Sequence, residues 1–373
     1  MKRRIFLKTT GAAGILSQAQ WGNLLSNGAA FGEEANLSWV EARYYEKLPD
    51  REIECFLCPR QCRLGDRERG YCGVRENKEG IYYTLVYGKA CTIHVDPIEK
   101  KPFFHYLQES RTLSLATAGC NVNCKFCQNW ELSQVRPEQV RHLDFPPEEV
   151  ARTAHEYNCP VIAYTYTEPV VFFEYMVDTA KIARSSGLKN VVVTGGHISR
   201  EPLQELIREV DAIKVDLKAF NQKFYSNYVR GELQPVLEAI QAVAQSPAWL
   251  EIVYLVIPTL NDSAGEIRKL SQWIMEEVGP DIPLHFSRFH PTYLLKNLPP
   301  TPVSTLEKCR QIAMDEGIHF VYIGNVPGHK GENTYCPSCG KLLIQRRGFE
   351  IRQFNLVEER CPQCRKTIPG VWL

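Results

Sequence analysis

The chain has 373 residues, 44% of them hydrophobic and 23% charged, which is the balance of a globular protein and excludes wholesale disorder. Its 44 basic and 43 acidic residues leave a formal charge of +1, giving no support to a nucleic-acid or anionic-membrane surface, and no apolar run reaches the roughly 18 residues of a membrane span. The unusual number is 14 cysteines. A chain of this length buries a large core without disulfide staples, so clustered cysteines point to metals or catalysis.

Residues 1–34 open with Lys2-Arg3-Arg4-Ile5-Phe6-Leu7-Lys8, followed by a weakly apolar stretch from Thr9 to Leu16. Paired arginines before a mild apolar stretch have the form of a twin-arginine export signal, the alternative being a disordered basic start. Residues 35–105 form a Cys-rich module. Its Cys55, Cys58, Cys62 and Cys72 follow C-x2-C-x3-C-x9-C, and the Gly/Arg-rich loop before Cys72 reads as a turn that brings the fourth ligand back. This set can close around one metal site, either a zinc ion or an auxiliary iron–sulfur cluster.

Residues 106–330 alternate strand and helix. Apolar, β-branched runs lie at 113–118, 161–166, 190–194, 212–216, 250–257, 284–286 and 319–323. Helix-period segments lie between them, at 146–157, 169–185, 201–209, 235–244, 264–278 and 304–316, several with Pro or an acid in the first turn. Such spacing implies parallel βαβ units. Six or seven fit, which predicts an α/β fold with a partial (β/α) barrel; a doubly wound open sheet is the alternative. No G-x-G-x-x-G follows the first strand, which disfavours a dinucleotide site.

Residues 331–373 carry Cys336, Cys339, Cys361 and Cys364. Two C-x2-C knuckles make a four-thiolate set, with structural zinc first, a rubredoxin-like iron second and two disulfides third. Metal would fold this tail, which has little core of its own. Cys91, Cys159 and Cys309 stand alone and read as small hydrophobes.

The segment Cys120-Asn121-Val122-Asn123-Cys124-Lys125-Phe126-Cys127 comes directly after the first barrel strand. Three thiolates at C-x3-C-x2-C can hold three irons of a [4Fe–4S] cube. The fourth iron is left for a substrate or cosubstrate, by the logic of an open catalytic zinc site. A zinc reading lacks a nearby fourth ligand. Polar or Gly-containing segments sit at the other strand ends: Thr167-Glu168-Pro169, Thr194-Gly195-Gly196-His197, Asp216-Leu217-Lys218, Pro258–Asn261, Ser287–His290 and Asn325-Val326-Pro327. Strand C-terminal ends are where (β/α) barrels build their sites.

The spacing, with an aromatic before the last cysteine, resembles the radical S-adenosylmethionine (SAM) superfamily. That resemblance implies a [4Fe–4S] cluster whose open iron binds the SAM amino and carboxylate groups. One electron then cleaves the sulfonium and yields a 5′-deoxyadenosyl radical that abstracts hydrogen from a substrate. By the same resemblance Phe126, Thr167, Glu168, Thr194, Asp216, Lys218 and Asn325 contact SAM. Tyr166-Thr167 stands where the family usually has glycines. Asp216-Leu217-Lys218 is similar to the Asp-Leu-Lys segment of pyruvate formate-lyase activating enzymes. Over residues 39–373 further segments resemble the AmmeMemoRadiSam-system radical SAM family: Cys55–Cys62, Gly70–Arg75, Asp96–Pro102, Ala118–Cys120 and Asn325–His329.

These readings imply an enzyme acting on a small-molecule or protein substrate, with an electron donor and without nucleic acid. Two alternatives remain: an activase that makes a glycyl radical on a partner protein, and a non-enzymatic scaffold of four-cysteine modules. The leader argues for export, whereas SAM-dependent chemistry argues for the cytoplasm.

Overall fold

Helices with one apolar face alternate with β-branched runs along most of this chain, and that pattern packs strands side by side with helices covering the sheet. The computed structural model describes residues 36–372; the export-signal reading of 1–34 lies outside the described residues. Eight strands form the central sheet: β1 (Thr92–Pro97), β2 (Arg111–Ala116), β3 (Val161–Tyr164), β4 (Lys189–Thr194), β5 (Ala212–Asp216), β6 (Trp249–Val256), β7 (Leu284–Arg288) and β8 (Val321–Gly324). They lie side by side in chain order, and β2 to β8 are parallel. The crossovers run through α1 (Pro147–Glu156), α2 (Phe173–Ser185), α3 (Arg200–Glu209), α4 (Gln234–Ala244), α5 (Ala264–Glu277) and α6 (Val303–Asp315). The end strands β1 and β8 do not pair with each other, so the sheet is the expected partial barrel.

Local chemistry explains these elements. All four residues of β3 are buried, as in a parallel strand covered on both faces. Helix α3 buries Pro202, Leu203 and Leu206, the helical spacing of one apolar face. Helix α5 starts where Ser263 Oγ accepts from Glu266 N at 3.2 Å, an N-cap.

The edge strand β1 was not anticipated from sequence. It pairs antiparallel with β2, from Thr92 opposite Ala116 to Pro97 opposite Arg111, so Asp96 belongs to the sheet rather than to a segment before it. The chain after β1 turns under the barrel. Ile98, Phe103 and Tyr106 pack on Val161, Ala163, Val191 and Ala212 and fill its interior at the strand N-terminal ends.

The C-terminal strands Thr334–Tyr335, Leu342–Arg347 and Glu350–Phe354 form a small antiparallel sheet. Its core is shared with the barrel: Leu343, Ile344, Cys336, Cys361 and Ile368 pack with Phe104, Phe320 and Tyr322. Arg346, buried, donates to the Phe104 carbonyl at 2.9 Å. On the N-terminal side, Arg75 and Glu174 form a buried ion pair, with Arg75 Nη1 to Glu174 Oε1 at 3.0 Å, which ties the first Cys-rich segment to α2.

Candidate iron–sulfur and SAM site

The three-cysteine loop leaves the C-terminal end of β2 and is pinned by backbone contacts with a π-type turn at 225–229. Asn123 N donates to Val229 O at 2.9 Å and Lys125 N to Tyr228 O at 2.8 Å. Single π turns of this kind recur at functional sites. Cys124 is buried, while Cys120 and Cys127 are partly exposed. Burial pushes the Cys124 thiol up to about 12, opposed by Lys218 and reinforced by Cys127, Asp216 and Glu168. The three loop thiols and the three polar strand-end residues therefore share one electrostatic environment. A bound metal would deprotonate the thiols.

Glu168, after β3, reaches across to the end of β4. It accepts from Thr194 Oγ1 at 2.6 Å and from Gly195 N at 2.8 Å. Burial raises its pKa, and these bonds oppose the rise. Thr167 is tied to β2 through Oγ1 to Thr117 O at 2.9 Å. Tyr166 keeps a left-handed φ of 67°, the conformation a glycine supplies without strain, and Asn129 Nδ2 holds its carbonyl at 2.8 Å. The chain thus retains a glycine-like backbone where it lacks the glycine.

Asp216, ending β5, sits between two ammonium groups. Lys214 donates to one oxygen and Lys218 to the other, the latter at 3.0 Å. Burial alone would raise the carboxyl, but Lys214 and Lys218 bring it down to about 2. Burial likewise opposes the Lys218 charge, which Asp216 and Cys124 restore, for a net rise. Asn261, buried at the end of β6, donates to Lys218 O at 2.8 Å and fixes that turn.

The structure therefore brings together Cys120, Cys124, Cys127, Glu168, Thr194, Asp216 and Lys218. Phe126 is buried with its ring 5.7 Å from that of Phe224, centroid to centroid. Asn325 is exposed beyond the end strand β8, with φ 61° and its amide donating to Arg288 O at 3.2 Å. Two further groups lie in segments that the sequence singles out without giving these residues a role. Lys101, buried, donates to Asp96 Oδ2 at 2.8 Å and to Ser114 Oγ at 2.6 Å, and Tyr166 OH also donates to Asp96. His197, 3% exposed, has no partner for either ring nitrogen among the described residues. The alternating β-branched run Thr92-Ile93-His94-Val95 is the one sequence signal that could have placed Asp96 in a strand.

In the tail, the four sulfurs of Cys336, Cys339, Cys361 and Cys364 all lie within 4.8 Å of one another. Cys336 and Cys364 are 3.5 Å apart, and Cys339 and Cys361 are 3.6 Å apart. These are non-bonded distances, far beyond a disulfide of about 2.05 Å. A tetrahedron with metal–sulfur bonds of about 2.3 Å spaces its sulfurs by roughly 3.8 Å, so the group fits one metal ion. Of the lone cysteines, Cys159 and Cys309 are buried, but Cys91 is only partly so.

The chain is similar to several known proteins. Residues 114–270, which contain the three-cysteine loop, match the Radical SAM superfamily model. The chain is 47% identical over 330 residues to the uncharacterized protein MJ0808 of Methanocaldococcus jannaschii, covering 88% of this chain and 98% of that one. It is 24% identical over 162 residues to the pyruvate formate-lyase 1-activating enzyme of Escherichia coli K12, covering 42% of this chain and 65% of the enzyme. A solved radical SAM methyltransferase from Sphaerobacter thermophilus superposes with a TM-score of 0.47 and 18% identity, over 85% of this chain and 86% of that one. With its thiol loop set at the strand ends of a partial barrel, the chain carries a radical SAM domain at residues 114–270 and belongs to one family with the protein MJ0808.

Proposed function

We propose that this chain is a radical SAM enzyme of the AmmeMemoRadiSam-system type, in which Cys120, Cys124 and Cys127 hold a [4Fe–4S] cluster. When bound, the cluster supplies the electron that cleaves SAM and releases the 5′-deoxyadenosyl radical, which takes hydrogen from a substrate. The observation that carries this reading is the position of the three-thiol loop after β2, with Glu168 and Lys218 just beyond the C-terminal ends of β3 and β5 in the same parallel sheet. Glu168, oriented by Thr194 and Gly195, accepts from the SAM amino group. Lys218, held by Asp216, faces the carboxylate. Thr167 and Asn325 border the ligand, and Phe126 acts from within the core by shaping the loop before Cys127. Zinc in the tail is part of the same proposal: the closed thiol tetrahedron suits a structural ion.

An electron paramagnetic resonance experiment tests the site. The reduced cluster should change its spectrum when SAM is added, because a ligand then occupies the fourth iron, and Cys124→Ala should lack the signal. A spectrum indifferent to SAM would remove the reading. A second reading, the glycyl-radical activase, is favoured by similarity to a putative glycyl-radical enzyme activating enzyme of M. jannaschii, 24% identical over 45% of this chain and 65% of that one. It predicts a glycyl-radical doublet on a partner protein rather than a modified small molecule.

A further inference from the structure

The N-terminal cysteines are gathered by the fold, although they are spread over 18 residues. Cys55 ends the strand Ile53–Cys55, and its N–H donates to Cys62 O at 3.0 Å. The turn between them is closed by Gln61 N to Cys58 O at 3.2 Å. The turn holding Cys72 is closed by Gly73 N to Gly70 O at 2.9 Å. All four cysteines line one pocket, together with Arg75, Tyr82 and Asn121.

This pocket differs from the tail. Among the described residues, the tail is the group whose ligand atoms all fall within 4.8 Å of one another. The N-terminal thiols line one pocket at wider spacing, and wider spacing of four thiolates suits a cube of four irons, whereas one ion draws its ligands together. The pocket also abuts the first cluster loop. Asn121, the neighbour of Cys120, lines it. Arg60 Nε donates to Asn121 O at 3.0 Å. Gly119 has φ 95°, and a Cβ there would stand 2.8 Å from Cys72 O and 2.5 Å from Val74 Cγ1. Only a residue without a side chain permits that approach.

The geometry points to a second iron–sulfur site: Cys55, Cys58, Cys62 and Cys72 hold a [4Fe–4S] cluster of their own, directly beside the loop of Cys120. The site does not depend on the reading of the SAM mouth, and its test keeps the two apart. Anaerobically reconstituted protein should carry about eight irons and eight labile sulfides. Both the variant Cys120→Ala/Cys124→Ala/Cys127→Ala and the variant Cys58→Ser/Cys72→Ser should carry about four. Reduced wild-type protein should show an electron paramagnetic resonance spectrum broadened by interaction between neighbouring clusters, and each variant a sharp one. Iron-free Cys120→Ala/Cys124→Ala/Cys127→Ala protein with two zinc ions per chain would overturn the proposal, whatever the folding of the serine variant. About eight irons in folded Cys58→Ser/Cys72→Ser protein would overturn it as well. If instead the SAM-site reading fails, the serine variant alone becomes iron-free and the alanine variant keeps its four.

Discussion

The tail and the first cluster loop both gather thiols at an end of the sheet, and they do so differently. The tail's four sulfurs close on one another within 4.8 Å and share a core with Phe320 and Tyr322, at and just before the start of β8. The loop's three sulfurs sit beyond the end of β2, two of them partly exposed, and share their surroundings with Glu168, Asp216 and Lys218. A complete ligand set holds a fold together, whereas an incomplete one leaves a coordination position for chemistry. Ligand count and neighbouring charge, more than cysteine content, separate the two thiol groups.

The comparison breaks first at the tail. Structural zinc contributes about 10–16 kcal/mol in isolated zinc modules, so if the tail holds the proposed zinc, Cys361→Ser should release about one ion and unfold the tail sheet. Metal analysis and near-UV circular dichroism read this, with cluster iron unchanged; loss of iron in place of zinc would reverse the metal assignment. Next in size is the tether of the N-terminal segment. Arg75 and Glu174 are both nearly inaccessible, with side chains 1% and 3% exposed. Removing one member of such a pair leaves a buried charge and costs about 3–5 kcal/mol. Glu174→Gln should therefore lower the denaturation midpoint clearly, and a midpoint equal to wild type would show that the pair is solvated.

At the mouth the effects are smaller. Thr194→Val removes one donor to Glu168, a bond with a net contribution of about 1 kcal/mol. SAM affinity measured by equilibrium dialysis should fall about fivefold with iron content unchanged. Unaltered affinity would detach Glu168 from ligand binding. A further effect concerns pH. Asp216 has its folded pKa lowered to about 2 from an unfolded value near 3.9. Its contribution to stability is therefore full above that unfolded value and is lost only as pH falls through the folded one. Between about pH 5 and 8, Asp216→Asn should thus lower stability by a constant amount, and a difference that changes across that window would show that the lysines do not hold the carboxylate charged.

Much of this was legible in the sequence, because the signals are local. The strand and helix spans follow from hydrophobic period, and the predicted run at 212–216 coincides with β5. The cysteine spacings named each thiol group. What sequence concealed depends on long-range pairing. Edge strand β1 is fixed by its register against β2, and Asp96 acquires Lys101 and Tyr166 as partners only after that pairing. Lys214 alternates along β5 as any strand residue would, and only the fold brings it to Asp216 as a second cation. The close approach of Gly119 to Cys72 joins residues 47 apart in the chain, and a lone glycine gives no hint of it.

The central claim is that the three-thiol loop, with its open coordination position, makes this chain cleave SAM reductively. The most direct test is to incubate anaerobic, dithionite-reduced protein with SAM and quantify 5′-deoxyadenosine and methionine by mass spectrometry. Both products should form in equal amounts in wild-type protein and in neither case with Cys124→Ala, whose tail zinc should be intact. Products formed at the wild-type rate by Cys124→Ala, or absent from wild-type protein that carries a reduced cluster at this loop, would contradict the account.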